Sequence, residues 1–336
     1  MAETETYYIT KKNWENFLSK KTNDYSIFGP ILIEGNLHYE KVSQLNIENI
    51  IYDKARPIEP LKIFFFPFKE KILPAIEQFP NLVIIGAANC DLKGLEILDK
   101  VFIEGDYKDP NYSKRRENTI VISIDCQNPY STCFCEPIGT RSYPEKNFDI
   151  NLTALKDGFI LQLGSEKGKK FIEDLKNFSD VSSELIQERK EIREKTEKIV
   201  KENNKFNFFN KIEKIKGLYE KEYWKKIKDI ANCVQCGSCT SNCPSCVCLL
   251  LEDIGDKDYF KKIKVWDSCL YPGYARMASG ASPRPSLYER YANRFLCKYW
   301  YMFENFGTKG CTGCGRCISG CIGKIDKRKV LEELLK

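Results

Sequence analysis

Sixteen cysteines against a single histidine, His38, make thiolate the abundant soft ligand of this 336-residue chain. Thiolates bind soft metals and iron-sulfur clusters, and one imidazole leaves little scope for histidine acid-base chemistry. Eight of the cysteines form two blocks of identical spacing: Cys233, Cys236, Cys239 and Cys243 in CVQCGSCTSNCP, and Cys311, Cys314, Cys317 and Cys321 in CTGCGRCISGC. A C-x2-C-x2-C-x3-C run wraps three thiolates around one face of a [4Fe-4S] cubane, and its fourth cysteine ligates the other cluster of a pair. Gly237, Gly313 and Gly315 relieve the backbone crowding this requires. The rule predicts one cluster on Cys233, Cys236, Cys239 and Cys321 and a second on Cys311, Cys314, Cys317 and Cys243, about 12 Å apart. Structural zinc sites instead use two separated cysteine pairs. Pro244 follows the first block, whereas Ile322 stands in the corresponding place after the second, which adds a backbone N–H near that cluster.

Four more cysteines lie in the N-terminal half: Cys90 in GAANCDLKG, Cys126 in ISIDCQNP, and Cys133 and Cys135 in STCFCEP. Cys90 and Cys126 each follow a predicted strand, at the sheet edge where α/β folds collect ligands. By spacing alone, a third [4Fe-4S] site and a set of buried thiols both fit, because free cysteine is often a small core hydrophobe. The remaining four, Cys246, Cys248, Cys269 and Cys297, could in principle bind a fourth cluster, but packed thiols are the favoured reading. CPSCVC crowds two of them against Cys243, and nothing in the sequence brings Cys297 close.

The elements that must position these residues divide the chain in three. Residues 1–165 read as α/β: LKIFFFPF (61–68), NLVIIGA (81–87), NTIVISID (118–125) and GFILQLG (158–164) are strand-sized apolar runs alternating with helical stretches. After Cys90, the stripe Leu92, Leu95, Leu98 and Phe102 marks one core-facing helix side. Residues 166–231 form a charged connector, with QERKEIREKTEKIVKENNK (187–205) a solvated helix of mixed sign. Residues 232–336 form a helical, ferredoxin-like two-cluster domain with an inserted segment, 244–310. The expected class is therefore α+β.

Composition is globular, with 42% hydrophobic and 30% charged residues, so disorder is not expected. MAETETYY lacks the apolar segment of a secretory signal, and no apolar run is long enough to span a bilayer, so a cytoplasmic chain is expected. In that reducing compartment the cysteines serve metal rather than disulfides. The formal charge of +6 does not point to nucleic acid. Each loaded cluster contributes about −2, and three would bring the chain near neutrality. Dinucleotide, phosphate-loop and nucleophile-elbow motifs are absent from the sequence. Trp266–Phe303, rich in aromatics and arginine, reads as a subunit interface or a cover over the clusters.

ARPIEPLKIFFFPFKE, CDLKGLEILD, RRENTIVISIDC followed by CFC, CVQCGSCTSNCPSCVC, WDSC and CTGCGRC together resemble the iron-sulfur subunit common to anaerobic sulfite reductases and nickel-iron sulfhydrogenases, in the latter the beta subunit. The resemblance implies an electron relay between a flavin-containing, NAD(P)H-linked reductase subunit and a catalytic subunit carrying siroheme or a nickel-iron centre. It also implies a third cluster on Cys90, Cys126, Cys133 and Cys135, positions at which that family places cysteines. Ala281 and Cys297 stand where members of the family often carry histidine. Another anaerobic redox complex is the alternative setting. A stand-alone iron-sulfur reductase is a further reading, although the tandem CCG signature that would favour it is absent from the sequence.

Overall fold

Leu82–Ala87 and Thr119–Ile124 are buried at every position, as central parallel strands covered on both faces must be. In the computed structural model, which describes residues 5–54, 56–205, 211–218, 221–227, 230 and 232–336, they sit in the middle of an eight-stranded sheet. Its strands are β1 (Thr6–Thr10), β2 (Ser26–Ile33), β3 (Asn36–Val42), β5 (Leu82–Ala87), β6 (Thr119–Ile124), β7 (Ile150–Ala154), β8 (Gly158–Leu163) and β9 (Phe178–Asp180). The intervening β4 (Lys69–Leu73) belongs to a second sheet. The strand order is β3-β2-β5-β6-β7-β8-β1-β9, parallel from β2 through β7 and antiparallel at both flanks.

Alternation along the parallel strands fills two cores. Val83, Ile85, Ile120 and Ile122 join Trp14, Leu18 and Phe171 on one face. Ile84 and Val121 join Leu92, Leu95, Leu98 and Phe102 on the other. Trp14 and Leu18 come from α1 (Lys11–Lys21), and the leucine stripe from α2 (Asn89–Phe102), as its spacing predicts. The short α3 (Pro110–Asn118) and α4 (Glu166–Phe171) follow β5 and β8 in the chain.

One expectation is corrected. LKIFFFPF is not a strand: Leu61–Phe64 is a 3-10 turn held between Pro60 and Pro67, with Lys62 pointing inward. The inserted segment 244–310 is mixed in structure. It carries the hairpin β10 (Leu249–Asp256) and β11 (Tyr259–Trp266), and β11 pairs with β4 in a second, three-stranded sheet.

The connector contributes β9 to the main sheet and the long α5 (Ser183–Glu202), fastened by Arg193 to the fully buried Asp125 at 2.7 and 3.2 Å. A 3-10 segment (Ile212–Gly217) and α6 (Lys221–Lys225) follow. Residues 1–4 of the opening MAETETYY, and 206–210, 219–220, 228–229 and 231 of the connector, lie outside the described residues. The C-terminal part comprises α7 (Ser238–Ser241), α8 (Leu287–Leu296), a π-helical turn (Cys297–Tyr301), α9 (Met302–Phe306), α10 (Arg316–Ser319) and α11 (Lys327–Leu334) around a third core. The class is α+β, with the sheet in the N-terminal half and helices prevailing at the C-terminus. Among the described residues, no helix is long and apolar enough to cross a membrane.

Candidate metal centres

All sixteen cysteines lie among the described residues, and none is disulfide-bonded. The two C-terminal blocks fold alike. The residue before the second cysteine is left-handed in each, Gln235 (φ 57°) and Gly313 (φ 67°), and so is the glycine after it, Gly237 (φ 74°) and Gly315 (φ 73°). These turns curl the cysteine loop before the four-residue helices α7 and α10 begin.

Cys243, from the end of the first block, lines one cavity with Cys311, Cys314 and Cys317 of the second. Arg294, Phe295, Lys298 and Tyr299 close it. In the reciprocal direction, Cys321 lies in electrostatic reach of Cys233, whose other neighbour is Cys239. The Cys321 sulfur accepts from the Ile325 N–H at 3.4 Å and the Lys327 Nζ at 3.7 Å. Cys236 is the exposed member of its block, flanked by exposed Val234, with Ile322 exposed beside Cys321.

Cys90, Cys126, Cys133 and Cys135 line a further cavity, completed by Arg56, Arg141, Val200, Gly313 and Cys314. Cys90 enters on the first turn of α2 just beyond β5, and Cys126 lies two residues beyond β6. Both therefore sit at the carboxyl edge of adjacent parallel strands. Cys133 and Cys135 arrive on a loop pinned by the Phe134 N–H donating to the Gly313 carbonyl at 2.8 Å, and by the Asn204 amide donating to the Cys133 carbonyl at 2.9 Å. Gly313 and Cys314 thus belong to the walls of both cavities.

Burial sets the protonation of these thiols. It pushes Cys135 up to about 12, helped by the neighbouring Cys133, and it pushes Cys90 and Cys317 well above the ordinary thiol range. Two pairs share a proton instead. A hydrogen bond from Cys246 holds Cys243 low, and one from Cys269 brings Cys248 down to about 6.

Buried cations surround the sulfurs. Arg56, Lys62, Arg294, Lys298 and Lys327 are all at least nine-tenths buried, and no carboxylate pairs with any of them among the described residues. Burial opposes the charge of Lys298, but the pull of the Cys243, Cys246 and Cys297 sulfurs outweighs it and holds the ammonium above its usual range. Arg294 is held in the same sense by Cys239, Cys246, Cys317 and Cys243. A buried cation without an anion is costly by several kcal/mol, so this set is matched to dense negative charge on sulfur. Four thiolates around a [4Fe-4S] 2+ core carry a net −2, and the donor sets here fit such a group. Among the described residues, no three His, Cys, Asp or Glu side chains converge closely enough to hold a single metal ion.

Sequence reading did not anticipate the cations, because an isolated Lys62 or Arg56 resembles any surface charge until the fold buries it. Within Trp266–Phe303, Tyr291, Phe295 and Tyr299 are buried against the cysteine blocks, and Arg290 donates to the carbonyls of Leu270, Arg284 and Pro285. Tyr271, Met277 and Phe303 are exposed.

A family profile described as a 4Fe-4S dicluster domain matches residues 232–325. The sulfhydrogenase 2 beta subunit of Pyrococcus furiosus is 32% identical over 317 residues, covering 92% of each chain. No solved structure matches. With that identity over nearly the whole length, and both cysteine blocks inside the matched domain, the chain belongs to the iron-sulfur electron-transfer subunit family that includes the sulfhydrogenase beta subunits.

Proposed function

We propose that this chain relays electrons within a cytoplasmic oxidoreductase complex, between a flavin-containing reductase subunit and a catalytic subunit with a nickel-iron or siroheme centre. The observation that carries the reading is the shared wall. Gly313 and Cys314 line both the Cys243/Cys311/Cys314/Cys317 cavity and the Cys90/Cys126/Cys133/Cys135 cavity, so charge held in one lies next to the other.

Three [4Fe-4S] sites follow: Cys90, Cys126, Cys133 and Cys135; Cys311, Cys314, Cys317 and Cys243; and Cys233, Cys236, Cys239 and Cys321. When bound, each cluster supplies a one-electron couple. The chain's own residues do the rest. Arg56, Arg294, Lys298 and Lys327 offset the negative charge, and Phe134, Tyr291 and Phe295 exclude water. Exposed Cys236, beside Val234 and Ile322, gives the outermost site a face toward a partner subunit. The likeness to a sulfhydrogenase subunit favours the hydrogenase setting over the sulfite reductase one.

The test uses the full chain purified without oxygen. Cys321→Ser should perturb the EPR signal of the cluster on Cys233, Cys236 and Cys239 and leave the Cys311 cluster intact, whereas loss confined to the Cys311 cluster would overturn crossed ligation. In the same preparation, NAD(P)H should reduce the clusters only when a flavin subunit is added. Rapid reduction by NAD(P)H alone would refute the relay assignment.

A further inference from the structure

The four cysteines outside those sites are not scattered. Cys246 and Cys248 lie between the first cysteine block and β10, Cys269 follows β11, and Cys297 opens the π-helical turn after α8. The Cys248 and Cys269 thiols lie close enough to set each other's protonation. Cys246 does the same with Cys243 and lies in electrostatic reach of Cys269, and Cys297 lies in electrostatic reach of Cys248 and Cys243. Cys246 and Cys269 are under one-tenth exposed, and Cys248 and Cys297 are partly buried.

Two of the unpaired cations point here. Lys62 donates to the carbonyls of Thr240 and Cys246 at 3.3 and 3.1 Å and lies 4.0 Å from the Trp266 ring centroid. Lys298, next to Cys297, donates to the Ser245 hydroxyl at 2.8 Å. Lys62 lies in electrostatic reach of Cys246, Cys243 and Cys248, and a tetrathiolate site there would add to the negative charge that offsets its burial.

We infer that Cys246, Cys248, Cys269 and Cys297 hold a fourth [4Fe-4S] cluster, adjoining the Cys243 site and branching from the three-site path. Loading exchanges four S–H bonds for four Fe–S bonds to a preformed 2+ core and releases four protons. The site is left with a net charge of −2, and no oxidant or reductant is consumed. The branch makes the Cys243/Cys311/Cys314/Cys317 site a junction. It meets the first block through crossed ligands, the N-terminal site through Gly313 and Cys314, and the new site through the Cys243–Cys246 contact.

This inference rests on the relay reading, and the experiment separates the two. Iron, acid-labile sulfide and zinc are measured on the full chain purified without oxygen, beside Cys248→Ser/Cys269→Ser and Cys297→Ser. Four sites give about sixteen irons and sixteen sulfides per chain, and the double variant should lose about a quarter of both. Cys297→Ser should alter one component of the reduced EPR spectrum and leave the others unchanged. About twelve irons in the unaltered chain, or twelve irons with one zinc, overturns the fourth cluster and leaves the relay standing. An iron-free folded chain overturns both. The count on the unaltered chain decides even if the double variant fails to fold.

Discussion

Arg56 carries a positive charge into the wall between two sulfur sites at some conformational cost. Its φ of 76° lies in the left-handed region that non-glycine residues seldom adopt. The guanidinium donates to the Cys314 carbonyl at 2.7 Å and to the Thr132 hydroxyl at 3.4 Å, and stacks 4.2 Å from the Tyr130 ring centroid. Its Nε has no hydrogen-bond partner among the described residues. A fixed cation favours the more negative, reduced state of a cluster. At about 8 Å and an effective dielectric of about 20, a unit charge contributes about 2 kcal/mol, or roughly 90 mV for a one-electron couple. Arg56→Gln should therefore lower the potential of the flanking clusters by several tens of millivolts, and Arg56→Lys should restore most of it. Potentiometric EPR reads the shift, and an unchanged midpoint in Arg56→Gln would show that the guanidinium only braces the Thr132 loop.

At the scale of the element, the two cysteine loops have one backbone shape and different tolerance for side chains. Gln235 and Gly313 occupy equivalent left-handed positions. Gln235 projects outward and accepts from Arg290 at 2.7 Å, while a Cβ on Gly313 would fall inside the Cys135 backbone. Gly313→Ala should thus cost about 2–3 kcal/mol through strain and displacement of the Cys135 loop. Gln235→Gly should cost under about 1 kcal/mol. Iron retention under a chelator, followed for each variant, checks the contrast, and equal retention would remove the claim that the second loop is shaped by the first half of the chain.

The same contrast between local and distant contacts separates what is legible in the sequence from what is not. The repeated spacing is local, so the two blocks can be read directly. The α2 stripe is legible for the same reason, since one helix face is written in consecutive turns. Cys90 and Cys126 can be placed at strand ends, but their meeting with Cys133 and Cys135 depends on parallel pairing of β5 with β6, which periodicity does not encode. The 61–68 run misleads because its apolar length fits a strand, although its two prolines suit a turn. The hairpin β10–β11 is hidden by charges on both of its faces, and Cys297 reaches its neighbours only through the packing of α8.

For the whole molecule, the sheet half and the cysteine half are joined by buried polar contacts. Arg316 makes a two-pronged pair with Asp91 at 2.9 Å, both nearly inaccessible, and donates to the carbonyls of Pro57 and Glu59. Lys264 reaches Glu70 and Asp109 across the second sheet, and Arg328 donates to the Ser131 carbonyl. The halves nevertheless differ in what holds them. The eight-stranded sheet has continuous ladders and two hydrocarbon cores, whereas α7 and α10 are four residues each, far below the roughly 12 residues at which an isolated helix becomes marginal. Beyond what the third core supplies, ligation would contribute to their order, because metal-binding energy becomes folding energy in such segments. Stripping iron anaerobically should therefore expose the chain to proteolysis within 232–322 while the sheet half stays protected, and reconstitution with iron and sulfide should restore resistance. Asp91→Asn, which leaves Arg316 buried beside a neutral partner, should bring that cleavage on at lower chelator concentration, because breaking a buried pair from one side costs about 3–5 kcal/mol. Simultaneous digestion of both halves on iron removal would instead make the clusters the support of the entire fold.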